Sequence, residues 1–347
     1  MRTLGWIVVA VLSVAAVLTL DPEWVGVVVP GWAGLTVTYP VNQVIALRAL
    51  LAGVFGVIAV IMLVVGLVRK LGFRAGTHSL VLALVLALVG VGHFGYLWMR
   101  GIHNPAELGP DRGVRPADTG DGSVTVLALN TQGGASNADD VAAVAEETGA
   151  DVLVLTETVP QLAEQIASFL TGDGESFQVF TAGDGQDAQG ATAILVSETL
   201  GEYVGADGPD TRLGSVRAEP ASGAGPVFVG VHTVPPVEDQ HEQWLTDLET
   251  VSALCHDGAD GLVLAGDLNA TLDHAPLQDL GGCADAAVEA EVGGVSTWPT
   301  SLPELLGAPI DHVLLDSAAY ETTQARVVET GDSDHRGLVV RVRPREG

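Results

Sequence analysis

The hydrophobic pattern divides the chain into two parts. The first hundred residues contain three long apolar runs, at about residues 4–20, 45–68 and 79–99. Because a helix of roughly 20 apolar residues crosses a ~30 Å hydrocarbon core, we predict that residues 1–100 anchor the chain in a lipid bilayer with three transmembrane helices. From residue 124 to residue 347, short apolar runs alternate with amphipathic stretches and Gly/Asp turns, which is typical of an α+β domain.

The flanking charges predict the orientation of this anchor. The connection between the second and third runs carries Arg69, Lys70 and Arg74, whereas residues 21–41 carry no basic residue. The positive-inside rule therefore places everything after Arg100 on the extracytoplasmic side of the plasma membrane, in a multi-pass topology. The first run is at the short limit for a span, and a cleavable signal peptide is the alternative interpretation of it.

Two polar residues lie within the apolar runs. Arg48 stands at the start of its helix, from which its side chain is expected to reach the interface. His93 is either a ligand or proton site or a hydrogen-bonded packing residue. The runs lack acidic residues for ion coupling, so an anchor is favoured over a small transporter.

The second part begins after a segment rich in Pro, Gly and Asp, residues 101–123, which is predicted to be a linker. Three helices are expected, one of them capped by Asn137 and ended by Gly149. Mixed strands with so few helices favour a sandwich over a doubly wound parallel sheet. The predicted helices cover 138–148, 160–170 and 238–256, and the predicted strands cover 124–130, 151–157, 177–182, 191–197, 213–219, 226–233, 261–269, 310–317, 322–329 and 337–342.

Polar side chains stand at the ends of several of these strands. Because strand ends converge at one rim of a sandwich, residues far apart in sequence can meet there. One such residue is usually a turn former, but turn chemistry does not explain so many at matching positions. The residues that follow or precede an apolar strand in this way are Asn130, Glu157, His232, Asp267, Asn269, Asp311, Asp334 and His335.

The residue types of this set fit phosphoryl transfer. Carboxylates such as Glu157 and Asp334 are hard oxygen ligands that suit Mg²⁺ or Mn²⁺. A histidine paired with a carboxylate can move a proton, and asparagine side chains can donate to a phosphate oxygen.

The order of motifs carries a resemblance to a known family. It runs N130-T131, L155-T156-E157, G190-A191-T192-A193-I194-L195, H232, G266-D267-L268-N269, T297-W298, I310-D311-H312-V313-L314-L315 and S333-D334-H335. Over about residues 124–343 the chain resembles the endonuclease/exonuclease/phosphatase superfamily, as a membrane-anchored, bacterial-type member. The resemblance implies a four-layer α/β/β/α sandwich, a divalent metal and a hydrolase acting on phosphoesters.

The resemblance also implies a set of metal-binding residues. Glu157 resembles the metal-binding glutamate, assisted by Asn130, and Asp334 resembles the acid that binds or orients the metal. Some repair nucleases of the superfamily have an acid where this chain has Gln132. The number of metal ions at the site, one or two, is therefore left open.

Further residues are implied to act on the phosphate. Asp267 and Asn269 resemble the pair that positions or activates the nucleophile and the phosphate. His335 resembles the catalytic histidine, oriented by Asp311. His232 resembles the second histidine that contacts the phosphate in the deoxyribonuclease-like branch.

Charge narrows the substrate class. Residues 101–347 hold 41 of the 43 acidic residues and only nine of the 15 basic ones. Such a balance excludes a basic nucleic-acid footprint, because phosphate binding needs clustered Lys and Arg. We therefore expect a small or lipid-derived phosphoester in preference to duplex DNA. The alternatives are an extracellular nuclease and a catalytically idle extracellular binding or sensor module, and no stable protein partner can be inferred.

Two cysteines, Cys255 and Cys283, are too few for a disulfide scaffold or a zinc cluster. Outside the cytoplasm they could form a disulfide, and two buried free thiols are the equal alternative.

Overall fold

The computed structural model of the chain describes residues 2–109, 122–172, 176–183 and 187–345. It divides into two compact units, Met1–Met99 and Arg100–Gly347.

The first unit is helical. Its elements are α1 (Arg2–Leu18), α2 (Trp24–Val28), α3 (Val41–Ile45), α4 (Arg48–Phe73) and α5 (Thr77–Arg100), whose last residue begins the second unit. By length and composition, α4 and α5 are long and apolar enough to cross a membrane. Helix α1 is apolar but shorter, with 17 residues that extend about 26 Å, so the third span stays a prediction.

Polar residues of this unit contact one another. The Arg48 side chain is 4% exposed, donates to the carbonyl of Leu20 at 3.0 Å and lies over the Tyr96 ring. These contacts hold the guanidinium at the start of α4, and its expected place at the interface stays a prediction. His93 is fully buried, with Nε2 2.9 Å from the Thr19 hydroxyl, as expected of a packing histidine.

The second unit contains twelve strands and three helices longer than ten residues within its described residues. The long helices are α6 (Ala138–Thr148), α7 (Pro160–Gly172) and α8 (His241–His256), and the short ones are α9 (Ala275–Gln278) and α10 (Ala286–Glu289). The strands are β1 (Val124–Asn130), β2 (Val152–Thr156), β3 (Phe177–Ala182), β4 (Thr192–Ser197), β5 (Tyr203–Asp207), β6 (Val216–Pro220), β7 (Val227–Gly230), β8 (Leu262–Asp267), β9 (Cys283–Asp285), β10 (Asp311–Asp316), β11 (Tyr320–Val328) and β12 (Gly337–Pro344).

These strands form two six-stranded sheets, ordered β11-β12-β1-β2-β4-β3 and β5-β6-β7-β8-β10-β9. In the first sheet β1 runs parallel to β2 and antiparallel to β12. In the second sheet β8 runs parallel to β7 and antiparallel to β10. The two mixed sheets confirm the predicted α+β class and exclude a doubly wound parallel sheet.

Alternation along the central strands decides which side chains pack where. Val126 and Ala128 of β1 pack with Val263 and Val313 of the second sheet, in the core between the sheets. The intervening Leu127 packs in a second cluster with α6 and α7 on the outer face. Both faces of these strands are therefore buried, and helix covers the first sheet on its outside.

Helix α8 is linked covalently to the second sheet. A disulfide joins its Cys255 to Cys283 of β9, which decides between the two predicted states of these cysteines. Trp244, Leu248 and Val251 form the buried face of the helix.

The capping residues of α6 agree with the sequence analysis. The Asn137 side chain accepts from the backbone N–H groups of Asp139 and Asp140, and the Asp140 side chain accepts from the Asn137 N–H. Gly149 ends the helix in the left-handed conformation at φ 64°.

The first nine residues of the predicted linker contact the domain. Asn104 donates to the carbonyl of Val327 and to Glu304, and accepts from the Val327 N–H. The Arg100 guanidinium pairs with both oxygens of Asp273. Residues 101–109 are thus part of the second unit, while residues 110–121 of the predicted linker lie outside the described residues.

We expect the Cys255–Cys283 bond to be present in the protein as isolated. Unfolding in denaturant without reductant, followed by alkylation and mass spectrometry, should detect no free thiol. Replacing both cysteines by alanine should lower the free energy of unfolding by about 3–4 kcal/mol, because the bond closes a loop of 28 residues. Two alkylated thiols in the wild-type protein would contradict the assignment.

Candidate active site

The strand pairing brings the predicted polar residues to one rim. Asn130 is the last residue of β1 and pairs with Thr156 in parallel β2, so it lies beside Glu157. In the second sheet, Asp267 at the end of β8 pairs directly with Asp311 at the start of β10.

Gly266 permits a close approach that places two further side chains. Its φ is 143°, and a Cβ built there would lie 1.9 Å from the carbonyl oxygen of Val231. Only glycine fits, because any larger residue would collide with a backbone that cannot move aside. The neighbours His232 and Asp267 consequently face each other, with His232 Nε2 3.6 Å from Asp267 Oδ2.

Asp267 Oδ2 is the centre of the cluster. It accepts a hydrogen bond from Asn130 Nδ2 at 3.0 Å, and His335 Nε2 lies 3.7 Å from it. Asn130 Nδ2 also donates to Glu157 Oε1 at 3.3 Å. One amide therefore connects the carboxylate of the second sheet to the carboxylate of the first.

His335 and Asp311 form a buried pair. His335 Nδ1 donates to Asp311 Oδ2 at 2.9 Å, which orients Nε2 toward Asp267. The hydroxyl of Thr297 accepts from the Asp311 N–H and fixes the start of β10. Asp311 Oδ1 is buried without a hydrogen-bond partner among the described residues. The geometry is that of the predicted dyad.

The surrounding carboxylates decide the charge of His335. Burial lowers its pKa, but the negative charges of Asp311, Asp267 and Asp334 outweigh burial and raise the pKa to about 10. In this arrangement the imidazole carries a proton at neutral pH and acts as a cationic hydrogen-bond donor.

His232 is held from the other side. Its Nδ1 donates to the carbonyl of Gln189 at 3.1 Å, so Nε2 is the atom presented to Asp267. The structure therefore brings two imidazoles to the same carboxylate, and the predicted contact of His232 with the phosphate stays a prediction.

The donor set fits a hard divalent cation. One ligand atom from each of Asp267, Asp311 and His335 lies within 4.8 Å of the other two. Because His335 Nδ1 already donates to Asp311, we assign that pair to hydrogen bonding and not to ligation. The carboxylates of Asp267 and Glu157, joined through Asn130, are oxygen ligands of the type that Mg²⁺ and Mn²⁺ bind.

The hydrogen bonds given for the side chains of Asp334 and Asn269 are to groups outside the cluster around Asp267. Trp298 Nε1 donates to Asp334 Oδ2 at 3.0 Å, and the Asp334 N–H donates to Gln132 Oε1. Asn269 Nδ2 donates to the carbonyl of Thr233, so its amide nitrogen is held by backbone. The predicted roles of Asp334 at the metal and of Asn269 at the phosphate stay predictions.

Sequence reasoning assigned no role to several residues that shape the site. Thr297 and Trp298 are part of the motif order, but no function was predicted for them. In the structure Thr297 accepts from the Asp311 N–H and Trp298 donates to Asp334. Ser333 accepts from the His335 N–H and donates to the Asn130 carbonyl, which joins the loop before β12 to the end of β1.

A polar cleft of about 720 Å³ lies near His232, and its described lining contains none of the residues of the cluster. Gln189, whose carbonyl holds His232, is one of its walls. Arg212 contributes a positive charge to the lining, against Asp187 and Asp239.

The family follows from comparison with known sequences. Residues 127–335 match the profile described as the Endonuclease/Exonuclease/phosphatase family, which is more than half of the chain. The chain belongs to this family. Its members are typically metal-dependent nucleases and phosphatases, in agreement with the Asp/His cluster. Among curated proteins, none matches the chain.

Solved structures of the family share the fold of the second unit. A D. rerio TDP2 humanized by 14 mutations has a TM-score of 0.53 at 16% identity, covering 63% of this chain and 98% of that one. D. rerio TDP2 complexed with a single-strand DNA product has a TM-score of 0.51 at 15% identity, covering 64% and 99%. At such identities the likeness concerns the fold alone.

We expect the dyad to act as a unit. His335→Ala and Asp311→Ala should each lower kcat by about 10²–10⁴-fold, as loss of a positioned catalytic group does. The double variant should lose little more, because either change already breaks the Nδ1 hydrogen bond. Steady-state rates of the four proteins, with folding checked by circular dichroism, measure this. Losses that multiply in full would show that the residues act independently.

The charge of His335 can be observed without any substrate. In protein freed of metal with EDTA, the ring should stay protonated at pH 8 and lose its proton near pH 10, because its pKa is raised. NMR of ¹⁵N-labelled histidine, with the resonance assigned from the His335→Gln variant, tests this. A neutral ring at pH 8 would contradict the electrostatic account of the site.

Proposed function

We propose that the chain is a membrane-anchored phosphoesterase that depends on a divalent cation and acts outside the cytoplasm. The observation that carries the proposal is the convergence of Asn130, His232 and His335 on one oxygen of Asp267, beside the His335–Asp311 pair. A binding module has no need of a buried dyad, so these contacts favour catalysis over an idle domain.

The cation would be Mg²⁺ or Mn²⁺, held chiefly by Glu157 with Asp267 and Asn130 beside it. When bound, it supplies positive charge for the phosphoryl oxygens. Asp334, which Trp298 orients, is proposed to support this side of the site.

The side chains of the site are proposed to carry out the remaining steps of phosphoester hydrolysis. Asp267 accepts the proton of the attacking water, whose oxygen bonds to phosphorus as the bond to the leaving oxygen breaks. His335 donates a hydrogen bond from Nε2 to a phosphoryl oxygen, and His232 contacts the same group. Asn269 is proposed to position the phosphate. Charge that develops on the phosphoryl oxygens is thereby stabilised by groups already in place.

The substrate is proposed to be compact. The second unit carries a large excess of acidic residues, which repel a polyanion over about a Debye length of ~8 Å. Duplex DNA presents a charge every ~1.7 Å and finds no basic track here. A small or lipid-derived phosphoester presents one or two charges, and the cleft with Arg212 is of suitable size for it.

An extracellular nuclease is the second candidate. It is favoured by the fold shared with TDP2, of which a complex with a single-strand DNA product is known. Comparison of substrates decides between the two.

We expect the purified full chain to hydrolyse at least one compact phosphoester in Mg²⁺ or Mn²⁺ and to be inactive in EDTA. The panel contains plasmid DNA, single-stranded DNA, inositol phosphates, phospholipid vesicles and bis(p-nitrophenyl) phosphate, at 50 and 200 mM salt. Glu157→Gln should lower kcat/KM by about 10²-fold or more, because it removes ligand charge and keeps shape. The matched control is Glu164→Gln, an exposed position on α7.

Two results of this experiment would contradict the proposal. Full activity of Glu157→Gln at saturating Mg²⁺ would refute the metal assignment. A kcat/KM for plasmid DNA above that for every small substrate, at both salt concentrations, would favour the extracellular nuclease instead.

The location is proposed from the basic connection between α4 and α5. Alkaline phosphatase fused after residue 109 should be active, and a cytoplasm-only fluorescent reporter at the same position should be dark. The reverse pair of signals would place the second unit inside the cell.

A further inference from the structure

An exposed apolar surface lies beside the candidate active site. Four large side chains of one segment are open to solvent: Trp298 is 37% exposed, Leu302 37%, Leu305 40% and Leu306 38%. We call these four residues the leucine patch. Single exposed apolar residues are ordinary, but a contiguous group of them is typical of a binding surface.

The patch stands out by its charge. Residues 292–310 contain one charged residue, Glu304, in a domain that holds 41 acidic residues. The Asn104 amide donates to Glu304 Oε1 at 3.1 Å, which occupies that carboxylate. The segment itself therefore carries one charge on a strongly acidic domain, and Asp334 is the further acid that contacts its Trp298. A segment of this composition suits a neutral or zwitterionic surface.

The segment that carries the patch is held rigidly. The Arg336 side chain is 2% exposed, and its guanidinium donates to the carbonyls of Pro299, Thr300 and Leu302. Arg336 follows His335 directly, and Trp298 Nε1 donates to Asp334. The same short stretch of chain thus supports the catalytic histidine and the leucine patch.

Chain connectivity limits the distance between the patch segment and the end of α5. The candidate span α5 ends at Arg100, and Asn104, four residues later, contacts Glu304 within the patch segment. Four residues extend at most about 14 Å. The leucines therefore lie within reach of the lipid surface at which that span ends.

We propose that the leucine patch rests on the surface of the membrane that anchors the chain and holds the catalytic opening at the level of the lipid head groups. This rests on the proposed phosphoesterase function and narrows its substrate to a phosphoester in the head group of a lipid in the same membrane. Leucine and tryptophan side chains enter the interfacial region, whereas the acidic remainder of the domain stays in water.

The contact is measured without reference to catalysis. The two native cysteines are joined to each other, so a spin label reacts only with an introduced cysteine. Leu305→Cys and the control Phe169→Cys, 51% exposed on α7, are labelled in the full chain and reconstituted in phosphatidylcholine vesicles. The label at 305 should be accessible to oxygen and protected from an aqueous nickel complex. The label at 169 should be accessible to the nickel complex and less accessible to oxygen.

Two outcomes would overturn the proposal. Equal nickel accessibility at both positions would mean that the patch faces water. Protection of position 305 from both reagents would mean that protein covers the patch, from a second copy or a partner.

Activity provides the second arm. For Leu305→Ser/Leu306→Ser, the ratio of the rate on vesicle lipid to the rate on bis(p-nitrophenyl) phosphate should fall about tenfold or more, since apolar burial at the lipid surface is lost. Phe169→Ser should leave the ratio unchanged. An unchanged ratio in the double variant would refute the role of the patch. If the wild type hydrolyses no phosphoester, the proposed function fails, and the spin-label result still decides the contact.

Discussion

Asp267 and Asp311 stand opposite each other in neighbouring antiparallel strands, buried, and their mutual repulsion must be offset for the site to exist. Within the described residues, His335 offsets this repulsion. Its Nδ1 donates to Asp311, and its Nε2 faces Asp267. Glu157 adds a third carboxylate through Asn130. The cation proposed beside Asp267 and Glu157 would add a second positive charge to the same cluster, so the proposed metal binding and the charge of His335 would answer one constraint.

The fold provides this constraint through backbone geometry. Parallel pairing of β1 with β2 puts Asn130 next to Glu157, and the β8–β10 register puts Asp267 next to Asp311. Gly266 brings the chain before His232 against β8, at a distance that no other residue allows. The candidate site thus consists of strand ends whose spacing is decided by hydrogen-bond register, and this is why widely separated residues of the sequence meet in it.

Sequence reasoning reached the sandwich and the site because both depend on apolar strands that end in polar residues. It missed β5, whose residues after Tyr203 are exposed, and β9, which has three residues, since neither leaves an apolar run. It counted α1 as a span from its apolar composition, and the length of that helix, 17 residues, leaves this a prediction. Arg48 was expected at the interface, and its partners Leu20 and Tyr96 are visible only after the helices pack.

The central claim is that one cation at the Asp267–Glu157 side of the cluster enables phosphoester hydrolysis. The most direct test titrates the metal-free full chain with Mn²⁺, measuring bound Mn²⁺ by electron paramagnetic resonance and the hydrolysis of the best phosphoester substrate in the same samples. The account predicts saturable binding, with a rate that rises in proportion to occupancy. Hydrolysis at full rate without bound Mn²⁺, or saturation without any hydrolysis, would contradict it.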